Sequence, residues 1–272
     1  MAQRNAVPLY KTRHVAFVDA IKESENSDKS MASHLAVGTG GRNYTICHTH
    51  KSWFVYDEDG ALWYRIPSSA PCYKNGNASP CGDCVNYDHD KYEPKTPASE
   101  GRRILVPNEW TNPVTGEKEY FGLRDAVESY FALSGPRAPD GLQHGNDMFA
   151  GDGICTGTLN NWIRDIAAQS SISAALRKDW IHEAIDIEDP EDDGNDREVG
   201  QITDRGTDSD GNEIPDLFAH DMRATYCTQL MRNDVSRTKA INKTGHNVPD
   251  SMNPYVRFAE KEIDAAEESN FY

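Results

Sequence analysis

The stretch Ala219–Ala259, AHDMRATYCTQLMRNDVSRTKAINKTGHNVPDSMNPYVRFA, holds the chain's densest chemistry. Arg223 follows His220 by three positions, which places both side chains on one face if the segment is helical. Gly245 precedes His246, and Tyr255 stands nine residues beyond that histidine. Apolar spacing predicts helices over Met222–Met231 and Arg237–Asn242, with a last one over Val256–Glu267. Arginine offers a planar fork that stays charged at any working pH and can hold phosphate oxygens bidentately. Imidazole titrates near neutrality and can donate to a phosphate or manage a proton. Tyrosine, with a free pKa near 10, becomes a nucleophile only with such help.

Working upstream, Asn160, Asn161 and Arg164 form the polar edge of a helix running through Trp162 and Ile166, with Thr156-Gly157-Thr158 as its cap. That edge either reaches a nucleic-acid groove or is simply solvated. Leu123–Leu133 is amphipathic, and the chain is expected to be helical from Trp110 onward. The run WFVYDEDGALWYRIP (Trp53–Pro67) turns at Asp59-Gly60 and predicts a hairpin, with Arg103–Val106 as a further strand. Helices are expected at His14–Ile21 and Met31–Val37, the second ending at Gly38-Thr39-Gly40-Gly41. Arg42 follows this turn at the start of a helix, where backbone N–H groups favour an anion. The fold class is therefore α+β, mostly helical with one small antiparallel sheet, and no linker divides the chain.

Four elements, Gly40-Gly41-Arg42, Lys95 ahead of a strand, His220-Asp-Met-Arg223, and Gly245-His246 followed by Tyr255, occur in the order found in the tyrosine recombinase (phage integrase) family. The chain resembles that family's catalytic domain over nearly its whole length. The resemblance implies site-specific integration or excision of double-stranded DNA through a covalent 3′-phosphotyrosine, with the chain acting as a homotetramer on DNA and no cofactor in catalysis. It also implies that Lys95 protonates the departing 5′ oxygen, with Lys91 as the substitute. The catalytic set is then Arg42, Lys95, His220, Arg223, His246 and Tyr255. Two features depart from the pattern. Thr45 stands where the family often has an acid, and with the residues ahead of Arg42 read as catalytic-domain helices, the family's helical DNA-clamping domain is expected to be absent. A DNA-binding remnant or regulator that no longer recombines is accordingly the alternative, and relaxation of supercoils by the same residues is a third reading.

Net charge is −16, an unusual balance for a protein that grips DNA. The charge is uneven. Segment 186–216 carries thirteen acidic residues against Arg197 and Arg205, so −11 of the total lies in one Asp/Gly/Asn-rich stretch expected to be a solvated loop. Its DSDG and EDDG runs lack the EF-hand spacing. Segment 221–246 instead carries a balance of +3. Arg102, Arg103, Arg237, Lys239 and Lys243 could therefore contact DNA phosphates or form an ordinary solvated face. The carboxylate excess suggests adaptation to high salt. No apolar run is long enough for a membrane span or signal peptide, so a cytoplasmic protein is expected.

Between the predicted strands lies a cysteine-bearing insertion, Ser68–Tyr92. Cys72, Cys81, Cys84 and His89 could surround a tetrahedral, purely structural zinc, or the loop could carry free thiols.

Overall fold

The computed structural model describes residues 6, 8, 9, 11–74, 79–133, 147–168 and 217–260. Helix α1 (Lys11–Glu23) leads into α2 (Ser27–Thr39). Asn26 caps α2, its side chain accepting from the Lys29 N–H at 2.9 Å. Gly40 ends α2 with φ at 59°, donating to Ala36 O. Only glycine suits this point, because a Cβ there would also lie 2.4 Å from the Tyr226 ring. Arg42 follows as the N-cap of the five-residue α3 (Asn43–Cys47), and His48 is its C-cap.

Strands β1 (Phe54–Tyr56), β2 (Leu62–Arg65) and β3 (Arg103–Leu105) form an antiparallel sheet in that order, with Phe54 opposite Tyr64 and Tyr64 opposite Ile104. The β1–β2 turn is closed by Asp57, whose carboxylate accepts from Ala61 N at 2.8 Å and Trp63 Nε1 at 2.7 Å. The insertion holds a short helix, α4 (Gly82–Asn86), and is tied down by paired hydrogen bonds between Ala70 and Tyr92.

Beyond Trp110 the chain is not yet helical. β4 (Glu109–Thr111) and β5 (Lys118–Tyr120) make a second, two-stranded sheet before α5 (Leu123–Tyr130). The Asn112 side chain closes this hairpin by accepting from Val114 N and Thr115 N, turn chemistry that a 3.6-residue periodicity does not reveal. α6 (Thr156–Ala167) is capped by Cys155, whose sulfur accepts from Thr158 N at 3.4 Å, rather than by the threonines. α7 (Ala219–Arg232) and α8 (Arg237–Thr244) follow, and residues 253–260 are helical. The acidic stretch 186–216 and the expected helix end beyond residue 260 lie outside the described residues.

Helix α2 is central, packing against α1, α5, α6 and α7 with Met31, Leu35 and Ala36 fully buried. A separate apolar cluster of Cys227, Leu230, Ala240 and Met252 joins α7 to α8 and receives the Tyr255 ring. No helix among the described residues is long and apolar enough to cross a membrane.

Two histidines lie inside this core. His14 meets Trp110 edge-on at 4.8 Å and His34 meets Phe121 edge-on at 4.5 Å. Burial, then the charge of Arg232, holds His14 well below its ordinary pKa. Burial, then Lys22, lowers His34 to about 3 against the opposing effect of a backbone hydrogen bond at Phe121. The unfolded chain binds a proton on each near pH 6.5 while the folded chain does not, so stability is lost as pH falls below that value. From pH 6.5 to 4.5 His34 costs about 2 kcal/mol, and His14 acts in the same direction. Urea denaturation at the two pH values should show this loss, and His34→Phe should reduce it. An equal loss in parent and variant would remove His34 as a contributor.

Candidate active site

The site is assembled from four remote segments. The N-terminus of α7 is fixed first. The Asp221 carboxylate accepts from Phe218 N at 2.9 Å, and Asn160 Oδ1, reaching across from α6, accepts from Ala219 N at 3.0 Å. This sets His220 and Arg223 on one face of α7. Arg223 is 2% exposed, and its Nη1 donates to Gly40 O at 2.7 Å, which joins α7 to the turn after α2. Arg42 Nη2 donates to Gly245 O at 3.1 Å, and its Nη1 donates to Ser99 Oγ. Gly245 has φ at 69°, and a Cβ there would meet Ser99 Oγ at 2.6 Å, so close approach requires glycine.

Arg102 completes the cluster. It is 6% exposed, and its Nε and Nη1 have no hydrogen-bond partner among the described residues. Nor does any carboxylate among those residues form an ion pair with Arg42, Arg102 or Arg223. Buried arginine is ordinarily paired, because desolvating an unpaired charge is expensive. Here burial and then the field of Arg223 lower both Arg42 and Arg102 to about 10. Burial also lowers Arg223. Three guanidiniums thus repel one another in a partly dry pocket, and an anion is the species that satisfies them.

His246 lies beside them with Nε2 3.4 Å from Arg223 Nη2. Its Nδ1 is 2.6 Å from Thr244 Oγ1, and that hydroxyl donates to Ala240 O at 2.8 Å. With its one proton so used, Thr244 accepts from His246 Nδ1–H, which leaves a lone pair on Nε2. Burial, then Arg223 and the other cations, lower His246 to about 3, so it is neutral in the free protein. The Tyr255 ring centroid lies 6.1 Å from that of His246. Burial, then Cys227, push the Tyr255 phenol up to about 12 against the opposing pull of Arg223.

His220 faces the open side, its pKa lowered by loss of hydration and then by Arg223, Arg42 and Lys95. Lys95 is exposed on the loop before β3 rather than on a strand, with Nζ 5.2 Å from the Tyr87 ring centroid. Lys91 is drawn off to Glu93 at 3.3 Å. Thr45, at the position where an acid was expected, accepts from Tyr92 OH at 3.2 Å.

Of the expected DNA contacts, Arg237, Lys239 and Lys243 project from the exposed side of α8, and Arg103 is exposed over the Trp63 ring at 4.8 Å. Arg102 lies in the buried cluster rather than on a solvated face, beside the other arginines of the anion site. Two others are corrected. Arg164 is 6% exposed, bonded to Asn161 Oδ1 at 3.0 Å and stacked over Phe218 at 4.8 Å, so it does not face a groove. Asn160 is occupied in capping α7. In both cases an apolar-polar edge inferred from helical spacing is covered by a partner, the chain leading into α7, that comes from far along the sequence. The cysteine set is corrected as well. Cys72, Cys81 and Cys84 converge on His48, whereas His89 Nδ1 lies 3.5 Å from the Glu93 carboxylate.

No protein-family model and no curated protein matches the chain. Among solved structures, a Tn1549 transposon integrase in complex with transposon right end DNA aligns at a TM-score of 0.50 and 15% identity, covering 97% of this chain and 67% of that one. A XerH site-specific recombinase bound to palindromic difH substrate aligns at 0.49 and 13%, covering 96% and 52%. A lambda integrase dimer bound to a COC′ core site aligns at 0.47 and 13%, covering 94% and 61%. The chain therefore spans about half the length of the XerH chain. The architecture is that of the tyrosine-recombinase catalytic domain, mostly helical with small antiparallel sheets.

Proposed function

We propose that the chain performs site-specific recombination of double-stranded DNA by cutting and rejoining strands through a covalent 3′-phosphotyrosine, working as a homotetramer on DNA. One observation carries this reading: two buried guanidiniums, Arg102 and Arg223, and the half-buried Arg42, drawn from segments far apart in the chain and without a carboxylate among the described residues, stand beside a neutral imidazole and a tyrosine. A phosphodiester bound there gives the guanidiniums their missing charge partner, and fixed donors favour the extra charge that develops on its non-bridging oxygens during in-line attack.

Tyr255 Oη attacks phosphorus, the bond to the 5′ oxygen breaks, and the phosphoryl group is held on the tyrosine. His246, with its lone pair on Nε2, takes the phenol proton, and the arriving phosphate offsets the arginine field that suppresses its basicity. Lys95 gives a proton to the departing 5′ oxygen. His220 donates to a non-bridging oxygen. The reverse sequence reseals a strand and conserves the phosphodiester bond energy, so side chains supply every part of the step.

A pool of duplexes of randomised sequence, nicked so that the cleaved end diffuses away, tests the proposal when incubated with the protein in high salt and resolved on a denaturing gel. A covalent protein–DNA band is expected. DNA retention without any adduct would overturn cleavage and leave a DNA-binding regulator.

A further inference from the structure

Four ligating atoms meet outside the site just described. His48, Cys72, Cys81 and Cys84 are all buried, and His48 Nδ1 or Nε2 and the three sulfurs lie within 4.8 Å of one another. Cys81 and Cys84 sulfurs are 3.7 Å apart, and His48 Nε2 is 3.2 Å from the first and 3.3 Å from the second. Tetrahedral zinc, with bonds of about 2.3 Å to sulfur and about 2.0 Å to nitrogen, holds its sulfurs about 3.8 Å apart and sulfur and nitrogen about 3.5 Å apart. The spacings among Cys81, Cys84 and His48 match these figures to within a few tenths of an ångström, and Cys72 lies within 4.8 Å of all three.

The histidine is also in the right form. His48 Nδ1 is 2.7 Å from Tyr44 O, which can only accept, so the ring proton sits on Nδ1 and the Nε2 lone pair faces the sulfurs. Tyr44 OH lies 3.3 Å from Cys84 Sγ, an outer contact of the kind that steadies a thiolate ligand. All the cysteines are free thiols, and a Cys81–Cys84 disulfide would leave Cys72 and His48 without a purpose in this buried group.

We infer that this chain binds one structural zinc ion through His48, Cys72, Cys81 and Cys84. Three sulfurs and one nitrogen complete a closed tetrahedron with no open position, so the ion folds rather than catalyses. What it fastens is significant. His48 is the C-cap and Arg42 the N-cap of the same five-residue helix, so the metal locks the cysteine insertion to the element that presents Arg42. The insertion continues through Tyr87, stacked edge-on against Tyr44 at 5.1 Å, toward Lys95 over the Tyr87 ring.

The inference stands apart from DNA cleavage and is tested without it. Full-length protein purified in reductant without chelator should contain one zinc per chain, and cobalt(II) exchanged into it should give the intense visible absorption of a tetrahedral thiolate site. His48→Ala and Cys81→Ser should lose the metal on dialysis. His48→Cys, which restores a fourth ligand, should keep it, and His89→Ala should match the parent. Protein that refolds with all thiols free and takes up neither metal overturns the assignment. So does a Cys81–Cys84 disulfide in the parent, or loss of metal in His89→Ala but not in His48→Ala.

Discussion

Tyr255→Phe is expected to bind DNA as the parent does and to form no covalent adduct. The substitution removes one oxygen from a ring that packs against Cys227, Leu230, Ala240 and Met252, and the phenyl ring remains to fill that place. Folding stability should therefore change by less than about 1 kcal/mol, as for substitutions that leave packing intact. The loss on the chemical side is total, because no atom remains to carry the phosphoryl group. Tyr226 is the neighbouring phenol, packed on Gly40, and Tyr226→Phe should retain the adduct. An undiminished adduct in Tyr255→Phe, read on the same denaturing gel, would falsify the assignment of the nucleophile.

The arginine cluster gives the second large effect. Arg42→Ala and Arg223→Ala should each slow single-turnover cleavage by about 10²–10³-fold, the usual worth of one preorganised donor. Arg→Lys should rescue poorly at both positions, since a point charge reproduces neither the fork nor its two-point grip. Arg223→Ala also orphans the carbonyl of Gly40 and leaves a cavity, so Arg223→Lys is the cleaner probe. Arg102 separates function from structure. Because its Nε and Nη1 have no partner among the described residues and Arg223 and Arg42 repel it, Arg102→Met should raise the urea midpoint while lowering cleavage. An arginine kept for packing would show the reverse, and near-parent cleavage by Arg42→Lys and Arg223→Lys would count against the phosphate clamp.

The sequence-local part of this arrangement was the legible part. His220 and Arg223 share a helix face because they are three residues apart, and the glycine-rich stretch Gly38-Thr39-Gly40-Gly41 marked the end of α2, which Gly40 closes. The hairpin at Asp59-Gly60 was equally readable from its turn residues. What spacing could not supply was burial produced by distant segments. Arg102 looks like any charged residue ahead of a strand until Gly245 and Arg223 arrive from the far end of the chain. Asn160 and Arg164 looked like a groove-facing or solvated edge until the chain entering α7 covered them. His89 is nearer in sequence to the cysteines, yet His48 wins the place because α3 carries it into the insertion, and Tyr44 O orients its ring. At Asn112 a turn signal was present, Asn112-Pro113 with Gly116 just beyond, and the helical reading past Trp110 passed over it.

The crowding of Arg42, Arg102 and Arg223 also makes the free protein a poorer fold than it would be with its pocket filled. Mutual repulsion is present in the native state and relaxed in the unfolded chain, so any oxyanion that enters the pocket adds stability in proportion to the logarithm of its concentration over its dissociation constant. Sulfate or phosphate should thus act on this chain as ligands as well as general salts, and DNA as the strongest of them. Salt then pulls in two directions: it screens the arginines from one another and competes with the phosphodiester for the same three side chains. Folding and substrate capture become two readings of a single electrostatic balance, with the nucleic acid as the missing counter-charge.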